Sequence, residues 1–103
     1  MLVVEVACKD EREAQHIAST LVRERLAACA NIIPAVSSFF YWDGNFTGER
    51  ESIVFLKTVE AKRAKLEKRI RQLHSYKLPA MVSWKAAANK DYEKWVKKEL
   101  SRH

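Results

Sequence analysis

Cys8, Cys29 and His74 are the residues of this 103-residue chain whose types best suit a soft metal ion. A thiolate with an imidazole favours Cu(I), Cu(II) or Zn(II) by ligand softness, so Cys29 with His74, joined by Cys8, makes the candidate metal set. The same thiol and imidazole have the types of a nucleophile and its base. No orienting acid, oxyanion-hole motif or glycine-rich phosphate loop accompanies them, so no enzymatic activity is expected. The cysteines lack the paired spacing of a zinc knuckle or redox motif, and both are expected as free thiols. His16, on the polar side of a helical pattern, and the terminal His103 are expected at the surface.

Composition bounds what can position these groups. The chain is 48% hydrophobic and 31% charged, with two Gly and two Pro, which excludes disorder, collagen-like repeats and a loop-rich disulfide scaffold. No apolar run approaches the ~20 residues of a bilayer crossing, and no charged-then-apolar segment opens the chain. A cytoplasmic protein without a membrane partner is expected. The formal charge of +6 is concentrated between Lys57 and Lys77, where eight Lys/Arg face only Glu60 and Glu67. Those two glutamates sit at helical ion-pair spacings, and no stacking platform for bases is evident, so a solvated helix face is expected rather than a nucleic-acid partner. Abundant Lys, Arg and Glu with few Asn and Gln hints at a thermostable protein.

The pattern along the chain gives the elements. Leu2–Cys8 is a β-branched run apolar on both faces except at Glu5, as in a central strand. Asp10 and Glu13 have capping-box spacing, opening a helix with Ala14, Ile17, Ala18, Leu21, Val22 and Leu26 on one stripe. An extended segment from Cys29 to about Trp42 ends at Asp43-Gly44, the strongest short hairpin signal, and a strand returns through Ile53–Leu56. Pro34 places the outgoing strand at a sheet edge or at a bulge. Thr58 is read as the cap of a second helix, roughly Glu60 to Leu73, with Leu66, Ile70 and Leu73 inward. After Pro79, Ala80–Trp84 reads as a fourth strand, and Asn89 as the cap of a last helix with Tyr92, Trp95, Val96 and Leu100 on one face.

The order βαββαβα over residues 1–103 predicts a single α+β domain, a ferredoxin-like sandwich. Its four-stranded antiparallel sheet should run 4-1-3-2 with the helices on one face. The outgoing hairpin strand could reach roughly 36 Å at ~3.3 Å per residue, against about 23 Å for the first strand. The hairpin should therefore overshoot its neighbours, carrying Phe39, Phe40, Tyr41, Trp42 and Phe46 into the overhang. A two-stranded ribbon that rich in aromatics is marginal alone, and the two sheet edges also need cover. A homo-oligomer that shelters the ribbon is expected.

Arg25-Leu26-Ala27-Ala28-Cys29-Ala30-Asn31, Tyr41-Trp42-Asp43-Gly44, Lys57-Thr58 and His74-Ser75-Tyr76-Lys77-Leu78-Pro79, in this order, closely resemble the CutA family of divalent-cation tolerance proteins. The likeness extends to the closing Tyr92 and Trp95. It implies a ferredoxin-like homotrimer architecturally related to PII signalling proteins, and a role in metal tolerance, copper above all, with no obligatory cofactor. The PII likeness also implies an alternative, a sensor holding a small anionic ligand in clefts between subunits, with Lys57, Tyr76 and Lys77 as contacts. Three departures from the family pattern stand out: a short segment between Cys8 and the first helix, Ser75 in place of proline, and Lys77 in place of an acidic residue. Lys77 is expected to make its part of the cleft more basic.

Overall fold

Strand β1 (Leu2–Cys8) sits where its sequence demands, at the sheet interior, hydrogen-bonded on both sides. The computed structural model describes residues 1–102, so His103 lies outside the described residues. Helix α1 spans Glu11–Arg23, and strands β2 (Cys29–Trp42) and β3 (Asn45–Thr58) form the hairpin. A 3-10 turn over Glu60–Lys62 leads into α2 (Arg63–Leu73), followed by β4 (Met81–Lys85) and α3 (Lys90–Leu100). The sheet order is β2-β3-β1-β4, antiparallel at every pairing, which is the ferredoxin-like order expected. Among the described residues no helix is long and apolar enough to cross a membrane.

One face of the sheet builds the core. Leu2, Val4, Val6 and Cys8 of β1, with Val54 and Leu56 of β3, pack against Ala14, Ile17, Ala18 and Leu21 of α1 and against Leu66 and Ile70 of α2. Asp10 caps α1 as expected, its Oδ1 accepting the Glu13 N–H at 2.8 Å. Only half of the capping box forms, because Glu13 accepts instead from the Lys9 N–H at 3.1 Å. The chain leaves α1 through Arg25 at φ 61°, and the Glu24 N–H still reaches Thr20. Arg25 then pairs with Glu99 at 2.7 Å, tying this corner to α3.

Two expectations about the helices need correction. Thr58 does not cap α2. It is the last residue of β3, buried opposite Leu2, and its hydroxyl donates to the Leu26 carbonyl at 2.8 Å. The helix entry is instead made by the 3-10 turn, with no side-chain cap. Asn89 likewise stands at the start of α3 without a side-chain capping hydrogen bond. Nor do all three helices share one face. Lys57 alternates with the core-facing Leu56 and Thr58, and its Nζ lies 5.8 Å from the Tyr92 ring centroid, so α3 reaches the opposite side of the sheet.

The hairpin overshoots as the strand lengths require. β1 covers β3 only from Ser52 to Thr58, while β3 continues to Asn45 paired with β2 alone. The register slips between Ile33 and Val36, a bulge at Pro34-Ala35, where the buried Ser52 hydroxyl donates to the Pro34 carbonyl at 2.5 Å. Asp43 (φ 50°) and Gly44 (φ 79°) supply the two positive-φ positions of the turn. The overhang gives the chain a radius of gyration of 14.2 Å, above the ~13 Å of a compact domain this size. On one ribbon face Phe39 stacks on Phe46 at 6.0 Å, and Tyr41 meets the same ring edge-on at 5.7 Å. The other face presents Phe40, Trp42, Asn45, Thr47 and Glu49.

Candidate functional site

The residues that could hold a metal divide between the two ends of the sheet. Cys29 opposes Lys57, which opposes Val3, so it lies near the start of β1. Cys8 lies at the other end, five positions along, or roughly 16 Å at ~3.3 Å per residue. Within one chain Cys29 and His74 are therefore not brought together.

His74 does meet Cys8, and it meets Glu13, a residue the sequence reading passed over as a cap. Ligand atoms of Cys8, Glu13 and His74 all lie within 4.8 Å of one another. The imidazole closes the turn after α2 and is fully used: Nε2–H donates to the Ala7 carbonyl at 2.7 Å, and Nδ1 accepts the Tyr76 N–H at 3.0 Å. These bonds fix the neutral Nε2–H tautomer. Glu13 is equally occupied, Oε1 by the Lys9 N–H and Oε2 by the Ser75 N–H at 3.1 Å. Burial, then the charges of Glu13, Glu51 and Asp10, push the Cys8 thiol up to about 12, so it keeps its proton. A metal here would have to break the ring's bonds and ionise a buried thiol. Glu13 and His74 are better described as a hydrogen-bonded lock joining β1, α1 and the segment after α2, beside the buried Cys8 thiol.

Glu13 carries a pH dependence. Burial raises its carboxyl, but the bonds from Ser75 and Lys9 outweigh it and hold the group below the ordinary 4.5. A carboxyl depressed in the folded state contributes stability that is complete above about pH 4.5 and is lost as pH falls through the folded value. Glu13→Gln should therefore flatten the acid limb of the stability profile. Urea unfolding from neutral pH to about pH 3 checks this; parallel curves for variant and parent would contradict it.

Cys29 has a different setting. It is half-buried, with Sγ 3.8 Å from Asn31 Oδ1, and that oxygen also accepts from Lys57 Nζ at 2.8 Å. The Tyr92 hydroxyl is raised above its usual range by burial, then by the neighbouring Cys29 thiol. Of the two thiols, Cys29 is the one open to an incoming ion.

The proposed anion contacts are also split. Lys57 belongs to the Cys29 end, whereas Tyr76 and Lys77 line a cleft of about 750 Å³ between the ribbon and the segment after α2. The lining carries Asp43, Glu49 and Glu51 against Lys9 and Lys77. Lys77 therefore shares the cleft with carboxylates that β3 places on the facing wall. Tyr76 donates its hydroxyl to Glu51 Oε2 at 3.0 Å. Its phenol is pushed above the usual range by burial, then by that bond and by the charges of Glu51, Glu13 and Glu49. The sequence reading missed Glu49 and Glu51 by starting the returning strand at Ile53. The polar alternation Asn45, Thr47, Glu49, Glu51 was the available signal.

The fold defines the class: a ferredoxin-like α+β domain with a β2–β3 ribbon extended beyond its sheet. The profile of the CutA1 divalent ion tolerance proteins matches residues 2–99, and the chain belongs to that family. The divalent-cation tolerance protein CutA of Thermus thermophilus is 36% identical over 96 residues, spanning 92% of this chain and 93% of that protein. Its counterpart from Pyrococcus horikoshii is 34% identical over 103 residues, spanning 99% and 100%. A crystal structure of CutA1 from Pyrococcus horikoshii OT3 superposes with a TM-score of 0.94 at 35% identity, over 99% of this chain and 100% of that one.

Proposed function

We propose that this chain is a non-catalytic homotrimer serving divalent-ion tolerance in the cytoplasm, with Cys29 as the thiol that receives copper or another divalent cation. Family membership supports the tolerance role. The observation that carries the assembly is the ribbon, whose Phe39, Tyr41 and Phe46 stand 69%, 73% and 66% exposed on one face of a single chain. The sheet face turned away from α1 adds Ile33, Val82 and Trp84, all exposed. Patches of this kind mark contact surfaces, and closed symmetry lets copies of one chain cover one another's. The number three comes from the family likeness.

The metal assignment rests on access. Cys8 and His74 are closed within their lock, which leaves Cys29 as the soft ligand within reach of solvent. Isothermal titration of the purified protein with Cu(II) and Zn(II) tests it. Cys29→Ser is expected to bind at least tenfold more weakly, while Cys8→Ser binds as the parent does. Parental affinity in Cys29→Ser would remove the assignment.

A further inference from the structure

We propose that the outer ridge of α2 is a docking surface for the phosphate backbone of duplex DNA, independent of base sequence. It depends neither on Cys29 nor on metal binding.

The charge of the ridge is uncompensated. The whole excess of the chain's +6 falls between Lys57 and Lys77, and α2 holds five of those eight Lys/Arg against one glutamate. The sequence reading left this face to solvent because Glu60 and Glu67 stand at ion-pair spacings. Of the two, Glu60 takes Arg63, at 2.5 Å, and Glu24 of α1 takes Arg69 at 2.8 Å. Lys65, Lys68 and Arg71 are exposed and form no ion pair among the described residues, and neither does Glu67. At about 100° per residue, with Leu66 and Ile70 turned to the core, Lys68 stands at the apex of the helix. Lys65 and Arg71 flank it by roughly 60° on either side, while Glu67 lies about 100° away on the flank. The exposed Ala64 and Gln72 beside the apex hold nothing bulky between these cations and a partner.

The ridge also lies away from the surfaces that copies of the chain would cover. α1 and α2 pack on the core face of the sheet, whereas the exposed large apolar side chains sit on the ribbon, on the face turned away from α1, in the segment after α2 and on α3. None belongs to α1 or α2 among the described residues.

That composition selects the partner. Protein interfaces draw most of their affinity from desolvated aromatic and arginine anchors in packed pockets, and a membrane-surface helix needs an apolar face to sink among the lipids. A solvated ridge of this kind offers neither. A phosphate backbone asks only for cations and hydrogen-bond donors across a wet interface. Unpaired bases need aromatic platforms, which the ridge lacks, so the fit is to a duplex. The B-form major groove, about 12 Å wide, admits an α-helix, and cations on both sides of the apex can meet both of its phosphate walls. The narrow A-form groove of duplex RNA excludes such a ridge.

Fluorescence anisotropy of a labelled DNA duplex of about 24 base pairs, titrated with the whole protein over a salt series, tests this. Saturable binding that weakens steeply with salt is expected, equal for a second duplex of the same length and scrambled sequence. Lys65→Gln/Lys68→Gln/Arg71→Gln should weaken it at least tenfold and flatten the salt slope by about 2–3 units. All three positions are exposed, and unchanged circular dichroism and copper titration would show the variant intact. The same charge removed from α3, by Lys90→Gln/Lys94→Gln/Lys97→Gln, should leave binding within about threefold of the parent. Equal losses in the two triple variants would reduce the effect to net charge and overturn the proposal. So would the absence of salt-dependent duplex binding, or binding of duplex RNA, poly-glutamate or phosphatidylglycerol vesicles as tight as that of the DNA.

Discussion

Replacing Phe39, Tyr41 and Phe46 together by serine is expected to dissociate the assembly into single 11.9 kDa chains. The three rings form one cluster on one ribbon face, and within a chain they touch chiefly each other. Fully burying a large apolar side chain contributes about 1.5–3 kcal/mol. With about a third of each ring already covered, the triple change should remove roughly 3–6 kcal/mol per chain. That corresponds to about 10²- to 10⁴-fold weaker association. The core of the sandwich lies elsewhere, around Val4, Leu56, Ile17 and Ile70, so the freed chains should retain their secondary structure. Sedimentation velocity and far-UV circular dichroism separate these effects. An undiminished assembly would show that other surfaces hold the copies together.

The second large effect is at His74. His74→Ala removes the donor to the Ala7 carbonyl and the acceptor for the Tyr76 N–H, and empties a space beside Cys8 and Glu13 that solvent does not reach. Unpaired buried groups cost about 1–3 kcal/mol each, to which a cavity adds. A loss of roughly 3–5 kcal/mol is expected, with a fall in Tm on the order of 10–20 °C. His74→Asn can restore one of the two bonds and should recover part of the loss. Copper titration of the folded His74→Ala protein should match the parent. That result separates a structural lock from a metal ligand, whereas lost copper binding without lost stability would reverse the assignment.

Much of the fold was legible because its signals are local. The Asp43-Gly44 turn, the Asp10 cap and the apolar stripe of α1 each reflect a few neighbouring residues obeying backbone geometry. The length mismatch between β1 and the hairpin needed only a count of residues, and it exposed the aromatic overhang. The site was less legible because it depends on register. Cys29 and His74 form a plausible pair as residue types, yet the ladder Cys29, Lys57, Val3 puts the thiol at the end of the sheet away from Cys8. Thr58 looked like a cap because it precedes a helix, but strand pairing carried it into the core, where Leu26 offered an unpaired carbonyl. Glu13 fits a capping box equally well whether it returns to its own turn or reaches Lys9 and Ser75. Only the tertiary arrangement decides between them.

Several motif residues thereby acquire physical reasons. Arg25 takes a left-handed turn position, Ala27 packs in the core, Asn31 receives Lys57, and Ser75 and Tyr76 close around Glu13, His74 and Glu51. These residues mostly position the chain, leaving Cys29 as its accessible thiol.

Light scattering of the purified protein over a dilution series tests most directly whether the ribbon obliges the chains to assemble. A mass of about 36 kDa, three times the 11.9 kDa chain, should persist to low micromolar concentration. A stable, folded species of 11.9 kDa across the whole series would contradict the account.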